Sequence, residues 1–208
     1  MRIINNGSIF HEPDRSSIVD VYPLSCYYFN SKSPISMNNE SPEDRSRRLE
    51  FNFNARGLRT CVLGVMLVEL SKRPHLLLLQ SRNLVFNLPG GRLRQDEPDV
   101  DGMKRKLSKL LSSSQNHPNW EVGECFGVWW RTDFETSLVA WMPESGITAK
   151  ECVKVFLVKL PESREFMVPR NLKPLAVPIE QLEGNSKTYG NVIAGVPQML
   201  SRFSFHVL

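Results

Sequence analysis

The stretch Leu84-Val85-Phe86-Asn87-Leu88-Pro89-Gly90-Gly91, continued by Arg92-Leu93-Arg94-Gln95-Asp96-Glu97 and then by Pro98 to Leu111, decides the fold. Its first part is a short apolar run stopped by Pro89-Gly90-Gly91, punctuation that ends a strand. Its last part changes period. Val100, Met103, Leu107, Leu110 and Leu111 fall on one face of a helix that starts after Pro98-Asp99 and frays into Ser112-Ser113-Ser114. Lys104, Arg105, Lys106 and Lys109 make up the opposite face.

Outward from this unit the pattern is strand-like on both sides. Upstream, Cys61 to Leu70 and His75 to Gln80 are apolar runs separated by the turn-prone Lys72-Arg73-Pro74. Downstream, Trp120 to Arg131, Ser137 to Met142 and Cys152 to Leu160 are short runs bounded by Pro, Gly or Ser. In the tail from Val192 to Phe205, the residues Val192, Ile193, Val196, Leu200 and Phe203 have helical spacing, with Pro197 expected in the first turn. Strands before and after a central helix, with a closing helix, predict a mixed α+β or α/β sandwich. Residues 1–20 read as a flexible arm and residues 21–208 as one domain, with an amino-terminal extension over 21–60 that includes a polar stretch from Asn30 to Asp44.

Composition excludes several classes. The chain has 208 residues, 26 Lys plus Arg against 22 Asp plus Glu for a net +4, and 41% apolar residues, a globular balance rather than a disordered or fibrous one. Its longest apolar stretch, Cys61 to Leu70, is interrupted by Gly64 and Glu69 and falls short of the roughly 18 residues of a membrane-spanning helix. The polar start lacks the basic and apolar regions of a secretory signal, so an intracellular protein is expected. Cys26, Cys61, Cys125 and Cys152 are widely separated, with none of the close pairs that zinc sites use, and read as reduced, mostly buried side chains. The histidines, His11, His75, His117 and His206, are scattered, and no Gly-x-Ser-x-Gly elbow is present.

Gly91, Glu97 after five intervening residues, and Arg105 after seven more match the register of the Nudix box, and the sequence resembles that family. The chemistry departs from it. Where the family places three helical carboxylates this chain has Lys106, Lys109 and Leu110, and Ser112 stands at the closing glycine. Nudix hydrolysis needs a hard divalent cation gripped by several carboxylate oxygens from one helix face. A wrong-signed charge at ~4 Å opposes that cation by about 4 kcal/mol per unit of cation charge even at an effective dielectric of ~20. Glu97 alone is not expected to hold a metal and reads as a solvated or helix-start carboxylate; no hydrolase activity and no cofactor are expected.

A longer resemblance covers nearly the whole chain. Tyr22-Pro23-Leu24, Pro74-His75 with Leu77-Leu78-Leu79-Gln80, Gly102-Met103-Lys104-Arg105, Trp129-Trp130-Arg131 with Phe134-Glu135, Val168-Pro169, Tyr189-Gly190 and Leu200-Ser201-Arg202-Phe203 follow one another in order. They are similar to the small, Nudix-fold subunits of pre-mRNA cleavage factor I. That resemblance implies an α/β/α sandwich with a mixed central sheet and a nuclear, non-catalytic homodimer in 3′-end cleavage and polyadenylation. It further implies binding to UGUA elements of pre-mRNA and a larger partner subunit carrying an RNA-recognition domain.

Carried over by position, the resemblance implies RNA contacts at Arg45, Val85, Phe86, Tyr189 and Gly190, with Arg45 on a loop and Phe86 at a sheet edge. Val85 stands where the family has a stacking aromatic, and Leu63 and Met37 where it has acidic readers of the bases. Two basic stretches fit RNA or, taken without the resemblance, more readily a solvated face: Arg45, Arg47, Arg48, Arg56 and Arg59, and Lys104, Arg105, Lys106 and Lys109. Phe86 and Tyr189 also fit ordinary packed aromatics, and Trp129 and Trp130, on consecutive strand positions, point to opposite faces. Two alternatives stand beside the RNA reader: a dimeric protein-interaction module that has lost UGUA readout, and a nucleotide sensor using the cleft without hydrolysis.

Overall fold

The computed structural model describes residues 18–36, 41–81, 84–113, 119–135, 137–140 and 148–208. In chain order, strands β1 (Ile18–Val21) and β2 (Tyr27–Lys32) precede helix α1 (Pro42–Arg56). Strands β3 (Arg59–Val65), β4 (Leu67–Leu70), β5 (Arg73–Ser81), β6 (Phe86–Asn87) and β7 (Gly90–Arg92) lead to helix α2 (Asp99–Leu111). Strands β8 (Glu121–Arg131), β9 (Glu151–Lys159), β10 (Arg164–Pro169) and β11 (Leu172–Pro178) follow, then helices α3 (Ile179–Leu182) and α4 (Ser186–Leu200) and strand β12 (Ser204–Val207).

The central sheet has the order β7-β3-β9-β8 and is mixed: β3 runs parallel to β9, and β7 and β8 pair antiparallel to their neighbours. A second, antiparallel sheet has the order β11-β5-β4, with β6 paired to β5. Successive strand residues face opposite sides, and here both sides are buried. Cys61 and Val65 of β3, Leu76 and Leu78 of β5, and Val153, Val155 and Leu157 of β9 enter one core; Val62, Leu77, Leu79, Phe156 and Val158 enter the other. This is why Cys61 to Leu70 reads as an almost unbroken apolar run. Ile193, Val196 and Leu200 of α4 close the first core, and Met103, Leu107 and Leu111 of α2 close the second. The result is the α/β/α sandwich. Gly64 lets α2 approach the sheet, since a Cβ there would lie 3.0 Å from Val158 Cγ2 and 3.6 Å from Met103 Sδ.

Several local expectations are corrected. Ile18, Val19 and Asp20, expected in the flexible arm, form a strand parallel to β12; residues 1–17 lie outside the described ones. The polar segment around Arg45 is helix α1, not a loop. Ser41 Oγ accepts from Asp44 N–H at 3.1 Å, Pro42 opens the first turn, and Gly57, at φ 72°, closes the helix by donating its N–H to Phe53 O at 2.7 Å. Ser137 to Met142 is no strand among its described residues, where Val139 makes an isolated bridge to Trp130. Pro197 lies inside α4 rather than in its first turn, because α4 begins at Ser186 and is broken at Gly190. Phe205 belongs to β12, not to the closing helix.

No helix among the described residues is long and apolar enough to cross a membrane. All four cysteines are free; Cys61 and Cys152 are buried, whereas Cys125 is exposed, against the expectation of burial. Leu107 is fully buried between α2 and the sheet. Leu107→Ala is expected to lower the unfolding free energy by about 2–5 kcal/mol, measured by urea denaturation.

Candidate nucleic-acid interface

The rim at the end of β5 is held by two backbone hydrogen bonds. Ser81 N–H donates to Val85 O at 2.9 Å and Leu84 N–H donates to Ser81 O at 3.0 Å, which turns Leu84 and Val85 outward. They are 71% and 53% exposed, high values for aliphatic side chains. Phe86 then pairs with Gln80 at the sheet edge, half-buried, with its ring centroid 4.7 Å from that of Tyr189. Tyr189 is only 7% exposed and serves as the floor under Phe86. Gly190 follows at φ 80° and ψ 162°, a left-handed break that exposes its backbone beside the ring pair. The fold therefore brings Val85, Phe86, Tyr189 and Gly190 to one rim.

Arg45 is placed apart from them. It is exposed near the start of α1, and no hydrogen bond, ion pair or ring contact among the described residues joins it to the rim. The helix itself is anchored on its inner side. Leu49 is buried, Phe53 meets Phe134 edge-on at 6.0 Å, and Lys150 Nζ lies 4.0 Å from the Phe53 ring centroid. Leu63 pairs with Gly90 and packs half-buried against the first core, so it offers the rim no polar group. Met37 lies outside the described residues. Trp129 is buried against α4, where a Cβ on Gly195 would touch its ring at 3.0 Å, while Trp130 is half-buried.

Below β7 lies a polar cleft of about 880 Å³, lined by six cationic side chains and three carboxylates. Glu97 is not solvated. Arg105 grips it through two hydrogen bonds of 2.5 Å, and Arg94 N–H donates to it at 2.8 Å. The Arg105 hydrogen bonds are the main cause that holds the Glu97 carboxyl down from 4.5 to about 2. Asp99 is paired with Lys154 at 2.5 Å. Lys106 lies along the Gly91 backbone, such that a Cβ there would sit 3.3 Å from Lys106 Nζ. Burial pushes its ammonium pKa down, and Arg105 and Lys109 push the same way.

Lys109 points to solvent and Leu110 packs against the second core. At the helix end Lys32 Nζ donates to Lys109 O and Ser112 O, each at 2.8 Å. Among the described residues no group of three or more His, Cys, Asp or Glu is arranged to hold a metal ion. An ammonium group thus occupies the place where this box needs a carboxylate.

The Glu97–Arg105 pair has a pH signature. The folded pKa of Glu97 lies below its unfolded value, so its stabilisation is present above about pH 4.5 and is lost as pH falls toward 2. Arg105→Gln is expected to cost about 1–2 kcal/mol at neutral pH, a difference that shrinks between pH 4.5 and 2 in urea denaturation series. With Mg²⁺ or Mn²⁺ added, the protein is expected to release no product from nucleoside diphosphate derivatives. Turnover that Glu97→Gln abolishes would contradict this reading of the box.

A family model described as a nucleotide hydrolase, NUDIX_2, matches residues 17–203. Pre-mRNA cleavage factor Im 25 kDa subunit 1 of Arabidopsis thaliana is 52% identical over 193 residues, covering 92% of this chain and 87% of that protein. Subunit 2 from the same plant is 44% identical, covering 93% of this chain and 98% of its own. Cleavage and polyadenylation specificity factor subunit 5 of Dictyostelium discoideum is 36% identical, with 90% and 97% covered. By the family match along most of its length and the identity to these subunits, the chain belongs to the Nudix family, within its branch of small subunits of pre-mRNA cleavage factor I.

Proposed function

We propose that this chain is a non-catalytic, RNA-binding subunit of the pre-mRNA 3′-end cleavage and polyadenylation machinery, reading a UGUA-type single-stranded motif at the Phe86 rim. The observation that carries the reading is the Phe86–Tyr189 ring pair, 4.7 Å between centroids, with the exposed Val85 next to Phe86 in the chain and the exposed Gly190 next to Tyr189. A half-exposed ring with a buried ring behind it is a platform on which an unstacked base can lie. The exposed backbone at Gly190 offers polar groups to base edges. Arg45, exposed on α1, supplies a cation for the RNA strand.

The reaction of the hydrolases is closed to this chain because Lys106 and Lys109 reverse the field that a divalent cation needs, and Arg105 neutralises Glu97. The protein acts in the nucleus as a homodimer with a larger subunit that carries an RNA-recognition domain. An apolar groove of about 670 Å³ between β8 and α4, lined by Trp129, Trp130, Leu138, Val139 and Met199, suits such protein contacts.

One observation favours a second reading, a dimeric interaction module without UGUA readout. Val85 has no π-face to stack a base, and Leu63 is turned to the core. Fluorescence anisotropy at fixed physiological salt separates the two. UGUA RNA is expected to bind at least tenfold tighter than a scrambled RNA. Phe86→Ala should weaken it by about 1–3 kcal/mol, Arg45→Ala should also weaken it, and Val85→Phe should strengthen it. Equal binding of both RNAs by the wild type would leave the interaction module.

A further inference from the structure

We propose that the cleft below β7, together with one face of α1, holds the phosphodiester backbone of the RNA strand beyond the base-read motif. The inference rests on the RNA reading of the Phe86 rim and adds a second, metal-free binding region to it.

The first support is a helical stripe. Arg45, Arg48, Asn52 and Arg56 are spaced three, four and four residues apart, which puts them along one face of α1 beside the buried Leu49 and the half-buried Phe53. The stripe ends in the cleft, since Arg56 is part of its wall together with Arg92, Arg94 and Lys106. Two of the three lining carboxylates are already committed, Glu97 to Arg105 and Asp99 to Lys154. Among the described residues, Arg56, Arg92, Arg94 and Lys106 have no ion pair, and of the three lining carboxylates Asp96 alone is outside one; the Glu97 charge still acts on Arg94 and Lys106.

The second support is the mutual repulsion of these cations. Arg92 is held below the usual guanidinium value first by burial and then by Arg59 and Arg56, with Arg48 adding to it. Lys106 is depressed by burial and by Arg105 and Lys109. Like charges gathered in a concave, partly buried place raise the local potential until an anion enters.

The ligand class follows from what lines the cleft and from where the cations lead. Among the described residues no aromatic side chain lines the cleft, so these have nothing to stack a base and the cleft receives phosphate groups instead. A compact polyphosphate would use the cleft alone. The charge continues along α1, whose 15 residues span about 22 Å at ~1.5 Å per residue, a track suited to a chain of phosphodiesters. The polypeptide also runs directly from the rim at Phe86 through Gly90 to Arg92 and Arg94, which links the two regions.

The test compares anisotropy of a UGUA tetranucleotide with that of a UGUA RNA extended by eight nucleotides on either side, in EDTA, over a series of salt concentrations. For the wild type the extended RNA is expected to bind at least tenfold tighter and with a steeper salt dependence. Arg94→Gln combined with Lys106→Gln should cut the length advantage several-fold and reduce the salt slope by roughly 0.7 for each phosphate that is no longer neutralised. Arg94→Gln alone, at an exposed loop position, keeps the test valid should Lys106→Gln disturb packing on Gly91, and Lys173→Gln on β11 should change neither quantity. An unchanged length advantage and slope in the Arg94 and Lys106 variants, with the tetranucleotide still bound, overturns the inference and leaves the rim reading intact. Failure of the wild type to prefer UGUA over scrambled RNA overturns both. Calorimetry with inorganic tripolyphosphate completes the set: binding that the variants abolish, with RNA length dependence untouched, assigns the cleft to a free polyphosphate and contradicts the claim.

Discussion

The structure depends on the burial of β3, β5 and β9 on both faces. The apolar residues along these strands are committed to one of two cores, so neither face tolerates exposure, and each needs a helix laid across it. Helix α2 covers one face through Met103, Leu107 and Leu111, and α4 covers the other through Ile193, Val196 and Leu200. A one-residue slip of any of these strands would exchange the two sets of side chains.

That constraint separates fold from chemistry within a single helix. The inward residues of α2 are set by the sheet, whereas Lys109 points to solvent and Lys106 lies half-buried along Gly91 without entering either core. The box can therefore lose its carboxylates and keep its position. Arg105 stays paired with Glu97 and fastens the loop after β7 to the helix, a structural use for two residues at box positions. What remains is a cleft of the Nudix fold lined by six cationic side chains against three carboxylates.

Much of this is legible in the sequence because strands and helices have different periods. The runs at Cys61 to Leu70 and Trp120 to Arg131 and the spacing of Met103, Leu107 and Leu111 announce the sheet and α2 directly. Helix α1 is harder to read, since Leu49 is its one fully buried residue and its apolar pattern is weak. Its signals are the caps, Ser41-Pro42-Glu43-Asp44 at the start and Gly57 at the end. The place of Pro197 within α4 is hidden because nothing local announces that the helix already begins at Ser186. The fate of Glu97 depends on its partner, since a carboxylate far from Arg105 would be solvated and one beside it is not.

The rim is legible only as residues, not as a place. Phe86 and Tyr189 lie far apart in the chain, and their ring contact follows from α4 packing over the edge strand β6. The central claim is that this fold binds RNA at that rim without metal. Amide chemical-shift mapping of the protein with UGUA RNA in EDTA tests it most directly. Shifts are expected at Val85, Phe86, Tyr189 and Gly190, unchanged when Mg²⁺ replaces EDTA. Shifts that arise only with Mg²⁺, confined to Glu97 and the neighbouring turn of α2, would contradict it.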